Sequence, residues 1–566
     1  MHKTICILYL TLSMSILGGG TQRTYGQNAG PQVVSFHSTV DDTEQPYGLY
    51  LPPKYTPKKK YPLVVMLHGA GSNHRLSLRR VFGESNRPGE NDVEASLYFP
   101  KWKDVDMIVI SPYARGTMGY QGVAEKDVWD AITDVKKRFS IDEDRTYLTG
   151  LSMGGGGTLW IGLTRSDFWA AIAPVCPAPP PGTDIYFPNA ANVPVHMFQG
   201  DADPVVRVEG TRKIVEAIRQ TGTTLAYDEY PNVQHDSWVN AYQNGAIFDW
   251  FKPFKRNRFP EKVVLTTSQL RYNKAFWLEA THFTVGDTAQ VIARFTAKNQ
   301  LEIEAKKVNA FTLHLEGHPQ VSLSKSIRVQ LNGQTIDAVS TSSGLVYFSL
   351  NAEGKWINEA KKQAEENKKP FLEGPMIDAF SDRHIYVYGT ADNPTPKELE
   401  RRRKEALEAA EWSFHRGDFL GRVMVFPRLM ADREIRPNDI ERSNLILFGT
   451  SQTNQLINRL ASNHPLQLKE NQVQNYSLTY IYPNKNRYLL INSGIAWWKS
   501  AGQDPNGLLA RLSVPGPAGK LRGKGDFILF EKDNANHIWS GSFNENWQIG
   551  EKEKTELKKS NALILK

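Results

Sequence analysis

The chain has 566 residues, 40% hydrophobic, 11% aromatic and 23% charged. At roughly 150 residues per domain this is material for three or four packed cores, and it excludes general disorder, a fibrous class and a single small module. The formal charge of +8 is modest for this length and gathers into no arginine stripe, so nucleic acid is not expected as a partner.

Residues 1–26 read as an export signal. His2 and Lys3 give a short basic start, residues 5–17 form an apolar core, and Gly18, Gly19, Gly20, Thr24 and Gly26 supply small residues for a cut after Gly26. The apolar core is too short to span a bilayer, so the expected product is periplasmic or extracellular with no stable membrane span. Of the two cysteines, Cys6 lies in this segment, which leaves Cys176 as the one thiol of a trimmed chain and no internal disulfide.

After Tyr61 the run PLVVMLHGAGSN is continuously apolar and then turns glycine-rich, the pattern of a buried parallel strand entering a loop. The pattern recurs in DMIVISPYARG, RTYLTGLSMGG, WAAIAPVC and VPVHMFQGDAD. Between these runs lie helical periodicities in KDVWDAITDVKKRF and VEGTRKIVEAIRQTG, and an aromatic helix is expected at 241–254. Alternating strand and helix predicts an α/β domain over 30–257 with a mostly parallel sheet covered on both faces. Residues 260–352 hold short alternating runs and turns such as Asn332-Gly333, predicting a small antiparallel sandwich or barrel. The charged stretch 358–369 reads as a solvated helix or linker. From 370 to 566 a second α/β domain is expected, in which HIYVYGT and NLILFGT begin successive strand-helix units.

The chemistry concentrates at Gly150-Leu151-Ser152-Met153-Gly154. A predicted strand leads in and a glycine-rich helix start leads out, the context that a G-x-S-x-G nucleophile elbow requires. A serine hydroxyl needs a base within reach and a third group to orient that base. Asp203 begins the loop after VPVHMFQG, and His235 lies in the loop PNVQHDSW after the strand AYDEY, so both are expected at the sheet end that carries Ser152. Asp201 competes for the acid's place, and the spacing in GDADPVV favours Asp203. His196 sits mid-strand and is expected to pack in the core. In His68-Gly69-Ala70-Gly71, the N–H of Ala70 is expected to join that of Met153 in an oxyanion hole, with His68 in a structural hydrogen-bonding role.

Together, LVVMLHGAGSN, SPYARG, the segment from DVWDAITDVKKRF to LTGLSMGGGGT, GDADPVVRVEGTRK and NVQHDSW make residues 45–255 resemble α/β-hydrolases. The types concerned are feruloyl and acetylxylan esterases of carbohydrate esterase family 1, polyhydroxybutyrate-depolymerase-like esterases and prolyl-oligopeptidase-family hydrolases. The resemblance implies Ser152, Asp203 and His235 as a catalytic triad and a carboxylic ester as substrate, with feruloyl or acetyl groups on polysaccharides as candidates. It leaves a peptidase open, although no room for a gating propeller precedes His68. A third reading is a glycan-binding protein with a vestigial hydrolase domain, whose Trp497, Trp498, Trp539 and Trp547 would stack on sugar rings. Tyr186 and Phe187, in the insertion 177–194, are candidates for an acyl-pocket wall, and an ordinary proline-rich surface loop fits the insertion equally well. No HExxH, no CxxC and no second GxSxG occurs, so neither metal nor cofactor is expected and the C-terminal half is expected to be non-catalytic.

Overall fold

The computed structural model describes residues 29–223, 225–361, 364–410, 425–499, 521, 523–532 and 536–566. The expected export segment, 1–26, lies outside these residues. Among the described residues no helix is long and apolar enough to cross a membrane.

Eight strands build the first sheet: β1 (Gly30–Ser38), β2 (Thr43–Leu51), β3 (Tyr61–Leu67), β4 (Ile108–Pro112), β5 (Ile141–Leu151), β6 (Ala171–Val175), β7 (Val195–Gly200) and β8 (Leu225–Tyr230). They lie in the order β1-β2-β4-β3-β5-β6-β7-β8. The pairs β1/β2 and β2/β4 are antiparallel and all later pairs are parallel. Every residue of β3 is buried, because alternate side chains feed cores on opposite faces of the sheet. Leu63, Val65 and Leu67 meet the helices Val123–Arg138, Met153–Thr164 and Val208–Arg219, whereas Val64 and Met66 meet His74–Val81 and Ala246–Phe251. The aromatic helix expected at 241–254 is broken. Asn244 and Gly245 take φ values of 53° and 70°, which end one short turn and start another.

Residues 262–357 form two five-stranded sheets around a core that includes Trp277, Phe295, Phe311 and Trp356. One sheet holds β9 (Lys262–Thr267), β12 (Ala289–Ala297), β13 (Gln300–Lys306), β15 (Ile327–Leu331) and β16 (Gln334–Ala338), with β9 at its edge. The other holds β10 (Lys274–Ala275), β11 (Leu278–His282), β14 (Ala310–His314), β17 (Leu345–Leu350) and β18 (Trp356–Ile357). The expected sandwich is antiparallel except for β13 and β15, which run parallel.

Among the described residues the third sheet has seven strands: β19 (His384–Tyr388), β20 (Arg428–Ala431), β21 (Asn444–Phe448), β23 (Tyr476–Asn484), β24 (Arg487–Gly494), β25 (Phe527–Glu531) and β26 (Asn536–Gly541). A small ribbon of β22 (Leu466–Leu468) and β27 (Leu563–Leu565) accompanies it. β19 and β21 are parallel neighbours, as successive strand-helix units should be, while β23, β25 and β26 add an antiparallel wing. Trp497, Trp498 and Trp547 are buried in this domain's core and offer no sugar-stacking face.

Of the two readings for the charged stretch 358–369, solvated helix or linker, its described residues form no helix. Its Lys368 is buried, with Nζ 2.6 Å from Asp526 Oδ2 and over the Trp547 ring, so this linker is tied into the third domain.

The insertion 177–194 departs from one of its expected roles. Thr183–Asn192 is a 3-10 helix, and Tyr186 turns into the core between Trp160 and Tyr272 and forms no pocket wall. The same helix presents Asn189 and Asn192 to β9. Each side-chain amide accepts from and donates to one backbone unit, Asn189 with Thr266 and Asn192 with Val264. The first domain also meets the third, where Asp42 pairs with Arg383 and Arg428.

Candidate active site

β5 delivers the chain into a sharp turn at Ser152, whose φ of 56° and ψ of −118° are rarely populated by a residue with a Cβ. Such a conformation costs about 1–3 kcal/mol and persists because its surroundings fix it. Ser152 N–H donates to Val175 O at 2.9 Å, and Ser152 O accepts from Gly156 N at 2.9 Å and Ala178 N at 3.1 Å. The flanking glycines are required by space. A Cβ on Gly150 would strike the Gly154 carbonyl and Leu67, and one on Gly154 would strike the Leu67 carbonyl.

The turn places Ser152 Oγ 2.9 Å from His235 Nε2, and His235 Nδ1 lies 2.8 Å from Asp203 Oδ2. The three residues predicted from separate loops are thus joined in one chain of hydrogen bonds. The Asp203 side chain is fully buried, while His235 keeps 23% of its side chain exposed, so the site is open to solvent at the imidazole. Burial alone would raise the Asp203 carboxyl. The hydrogen bond to His235 and the Val205 and Val206 N–H groups outweigh it and hold the carboxyl below its ordinary value.

Gln199, which the sequence reading passed over, completes this setting. Its buried amide donates to Asp203 Oδ2 at 3.1 Å and to Val206 O at 2.9 Å, and its own oxygen accepts from Thr211. The available signal was a glutamine at the penultimate position of the strand VHMFQG, just ahead of the GDAD loop.

The competing residues serve other ends. Asp201 is exposed and accepts the Asn232 N–H at 2.6 Å, shaping the loop ahead of His235. His196 packs against Phe198 and Trp250, with Nε2 3.0 Å from Asp228.

The loop expected to supply an oxyanion donor follows β3. A Cβ on Gly69 would come within 2.7 Å of Leu151 Cδ1 and 3.5 Å of Ser152 Cβ, so this backbone runs directly against the nucleophile turn. Among the described residues no backbone acceptor meets the Ala70 N–H, and Met153 opens its helix, where an N–H has no intrahelical partner. His68 is buried with Nδ1 2.8 Å from Gly69 O and Nε2 2.8 Å from Tyr113 O, the structural role expected of it.

Cys176, Asp203 and His235 bring their ligand atoms within 4.8 Å of one another. Two of these groups are committed to the hydrogen-bonded chain, and burial pushes the Cys176 thiol up to about 12, so no thiolate is available near neutral pH. The cluster is packing beside the hydrogen-bonded Ser152, His235 and Asp203.

Parts of the chain are similar to known proteins. Residues 38–181 match the family model described as "Putative esterase". A poly(3-hydroxybutyrate) depolymerase of Ralstonia pickettii is 29% identical over 149 residues, which cover 23% of this chain and 27% of that protein. The chain thus matches about a quarter of that relative's length. Similar solved structures include a thermostable esterase (25% identity, TM-score 0.33, 40% of this chain and 63% of that one). Another is a ferulic acid esterase of Anaeromyces mucronatus (22% identity, TM-score 0.31, 41% of this chain and 94% of that one). The first domain thus carries the esterase model's match over residues 38–181, on a mostly parallel sheet whose fifth strand leads into the Ser152 turn.

Proposed function

We propose that the first domain hydrolyses carboxylic esters through an acyl-enzyme, with Ser152, His235 and Asp203 as catalytic triad. The observation that carries this reading is the unbroken sequence Ser152 Oγ, His235 Nε2, His235 Nδ1, Asp203 Oδ2 at 2.9 and 2.8 Å, on a serine held in a strained turn.

The geometry supports the following steps. His235 Nε2 takes the Ser152 hydroxyl proton as Oγ attacks the ester carbonyl carbon. The carbonyl π bond breaks to give an oxyanion, which the N–H groups of Ala70 and Met153 stabilise at typically about 3–4 kcal/mol each. Asp203 keeps Nδ1 protonated and stabilises the imidazolium. The tetrahedral intermediate then expels the alkoxide, which leaves as alcohol with the proton from Nε2. Water, deprotonated by the same nitrogen, attacks the acyl-serine, and the second tetrahedral intermediate releases the acid and restores Ser152.

We further infer that the esters are feruloyl or acetyl groups on polysaccharides met outside the cytoplasmic membrane. The 1–26 segment supports the location, and the solvent exposure of His235 supports access by a bulky, polymer-attached substrate. The likeness to a polyester depolymerase supports ester over amide chemistry.

Ser152→Ala tests the site. Hydrolysis of p-nitrophenyl acetate by the full chain is expected to fall to background, and activity near wild type would reject the assignment. Parallel assays on methyl ferulate, acetylated xylan and a proline p-nitroanilide separate the readings. Turnover of the anilide alone would favour the peptidase, and glycan binding with no turnover would favour the binding protein.

A further inference from the structure

The loop after β4, Tyr113–Gly122, lies outside the triad yet holds the oxyanion loop at three points. Tyr113 O sits 2.8 Å from His68 Nε2, Thr117 Oγ1 accepts the Gly71 N–H at 3.0 Å, and the Tyr120 hydroxyl donates to His68 O at 2.9 Å. These contacts bracket Ala70, one of the two proposed oxyanion donors. A donor in that position is useful only when it is preset to where charge will develop, so whatever fixes this loop fixes the transition-state contact.

The loop is itself held in an unfavourable shape. Ala114, Arg115 and Gly116 follow one another at φ values of 44°, 60° and 71°, a left-handed run that non-glycine residues rarely adopt. A buried ion cluster maintains it. Arg115, 1% exposed, sets Nε 2.6 Å from Asp127 Oδ2, one terminal nitrogen 2.6 Å from Asp41 Oδ2 and the other 2.7 Å from Ser38 Oγ. Removing one partner from such a cluster strands a buried charge, so the arrangement is strongly fixed once formed.

The third domain enters this cluster. Phe426 N–H donates to Asp41 Oδ2 at 3.0 Å, and Val425 packs with Val40 and Val123. The next residue, Asp42, is paired to Arg383 and Arg428. Asp41 therefore joins a backbone donor of the third domain to the guanidinium that braces the oxyanion support.

We propose that Asp41, Arg115 and Thr117 are positioning residues for the oxyanion loop, and that the C-terminal domain serves catalysis by completing this brace from outside the hydrolase domain. The proposal rests on the serine-hydrolase reading above. It gives the C-terminal domain a part in setting kcat without a ligand of its own.

The test uses the full chain with Asp41→Asn, Thr117→Val and the pair Arg383→Ala/Arg428→Ala. The readouts are kcat and KM on p-nitrophenyl acetate and the affinity of phenylboronic acid, whose boron adds to Ser152 Oγ and puts an oxygen where the oxyanion forms. Each variant is expected to lose about tenfold to a hundredfold in kcat and the same factor in boronate affinity, with KM within about twofold of wild type, as a displaced donor should give. A role in stability alone would lower the melting temperature and leave kcat and boronate affinity unchanged, and that result overturns the proposal, as does a rise in KM alone. If Asp41→Asn does not fold, Thr117→Val carries the test, since it removes one hydroxyl at nearly constant shape. Wild-type kcat in the arginine pair overturns the C-terminal domain's share. Wild-type protein that neither turns over the ester nor binds the boronate would refute the serine-hydrolase reading itself, a separate failure from that of the brace.

Discussion

The Tyr272 hydroxyl, in the β-rich domain, donates at 2.7 Å to Glu125, a buried carboxylate on the helix Val123–Arg138 of the hydrolase domain. Trp160 Nε1 donates to the same carboxylate oxygen at 2.9 Å. The junction is therefore a shared polar core. The preceding residue, Arg271, reaches onward to Glu373 and Asp378, so one short turn of the middle domain, Leu270–Tyr272, ties together all three units.

Tyr272→Phe removes one hydrogen bond to a buried charge at constant shape. It is expected to cost about 1.5–3 kcal/mol. Urea unfolding should show a lower midpoint, and because the turn links domains the loss should appear in the hydrolase domain's tryptophan fluorescence as well as in far-ultraviolet circular dichroism. A change under about 0.5 kcal/mol, the range of ordinary surface substitutions, would mean that Glu125 is adequately satisfied without the tyrosine.

Asp203→Asn should leave the shape of the site intact and favour the wrong imidazole tautomer, lowering kcat by about four orders of magnitude. A linked effect follows on stability. The folded-state pKa of Asp203 lies below its unfolded value of about 3.8, so its ionised form contributes stability that is complete above that pH and is lost as pH falls through the lower, folded-state value. Unfolding free energies of wild type and Asp203→Asn, measured from pH 5 down to pH 2 at fixed salt, should converge toward the acid end. A constant gap over that range would refute the linkage.

Gly156→Ala tests the glycine run behind the nucleophile. A Cβ there would drive into the Ala178 carbonyl, which is backbone and cannot rotate aside. The cost should reach or exceed the upper end of overpacking penalties, about 3 kcal/mol, with loss of the Ser152 turn. Gly210→Ala, where a Cβ meets nothing within 4 Å, is the control and should be neutral or stabilising.

Cys176 is fully buried and its thiol is pushed up to about 12 by that burial. Iodoacetamide at pH 8 should leave the native protein's Cys176 unmodified and alkylate it fully in denaturant. Rapid native labelling, read by mass spectrometry, would contradict the packing described beside the triad.

Much of this site was legible because the reaction and the fold demand the same residues. Gly150 and Gly154 are fixed by close backbone approaches and Gly69 by the Leu151 side chain, and the order Ser152, Asp203, His235 follows from successive strand ends of one sheet. The placement of Tyr186 was not legible. An aromatic residue in a proline-rich insertion looks the same whether it lines a pocket or enters a core, and Trp160 and Tyr272, which decide the matter, are remote in sequence. Lys368 escaped for a related reason. A lysine in a charged run reads as solvated, and its partner Asp526 lies far along the chain. Arg115 and Asp127 had no local signature, since a buried ion cluster depends on which surfaces meet and not on any periodicity.

The two asparagines that grip β9 have an effect beyond joining domains. β9 ends its sheet, and its outward backbone groups at Val264 and Thr266 would otherwise be open to pairing with another chain. Asn189 and Asn192 occupy them with side-chain amides that imitate a neighbouring strand without being one. An unprotected edge invites self-association, so cutting the hydrolase domain away would do more than remove an activity. It would strip the remaining sandwich of its guard and leave the β9 edge open to pairing with a second copy.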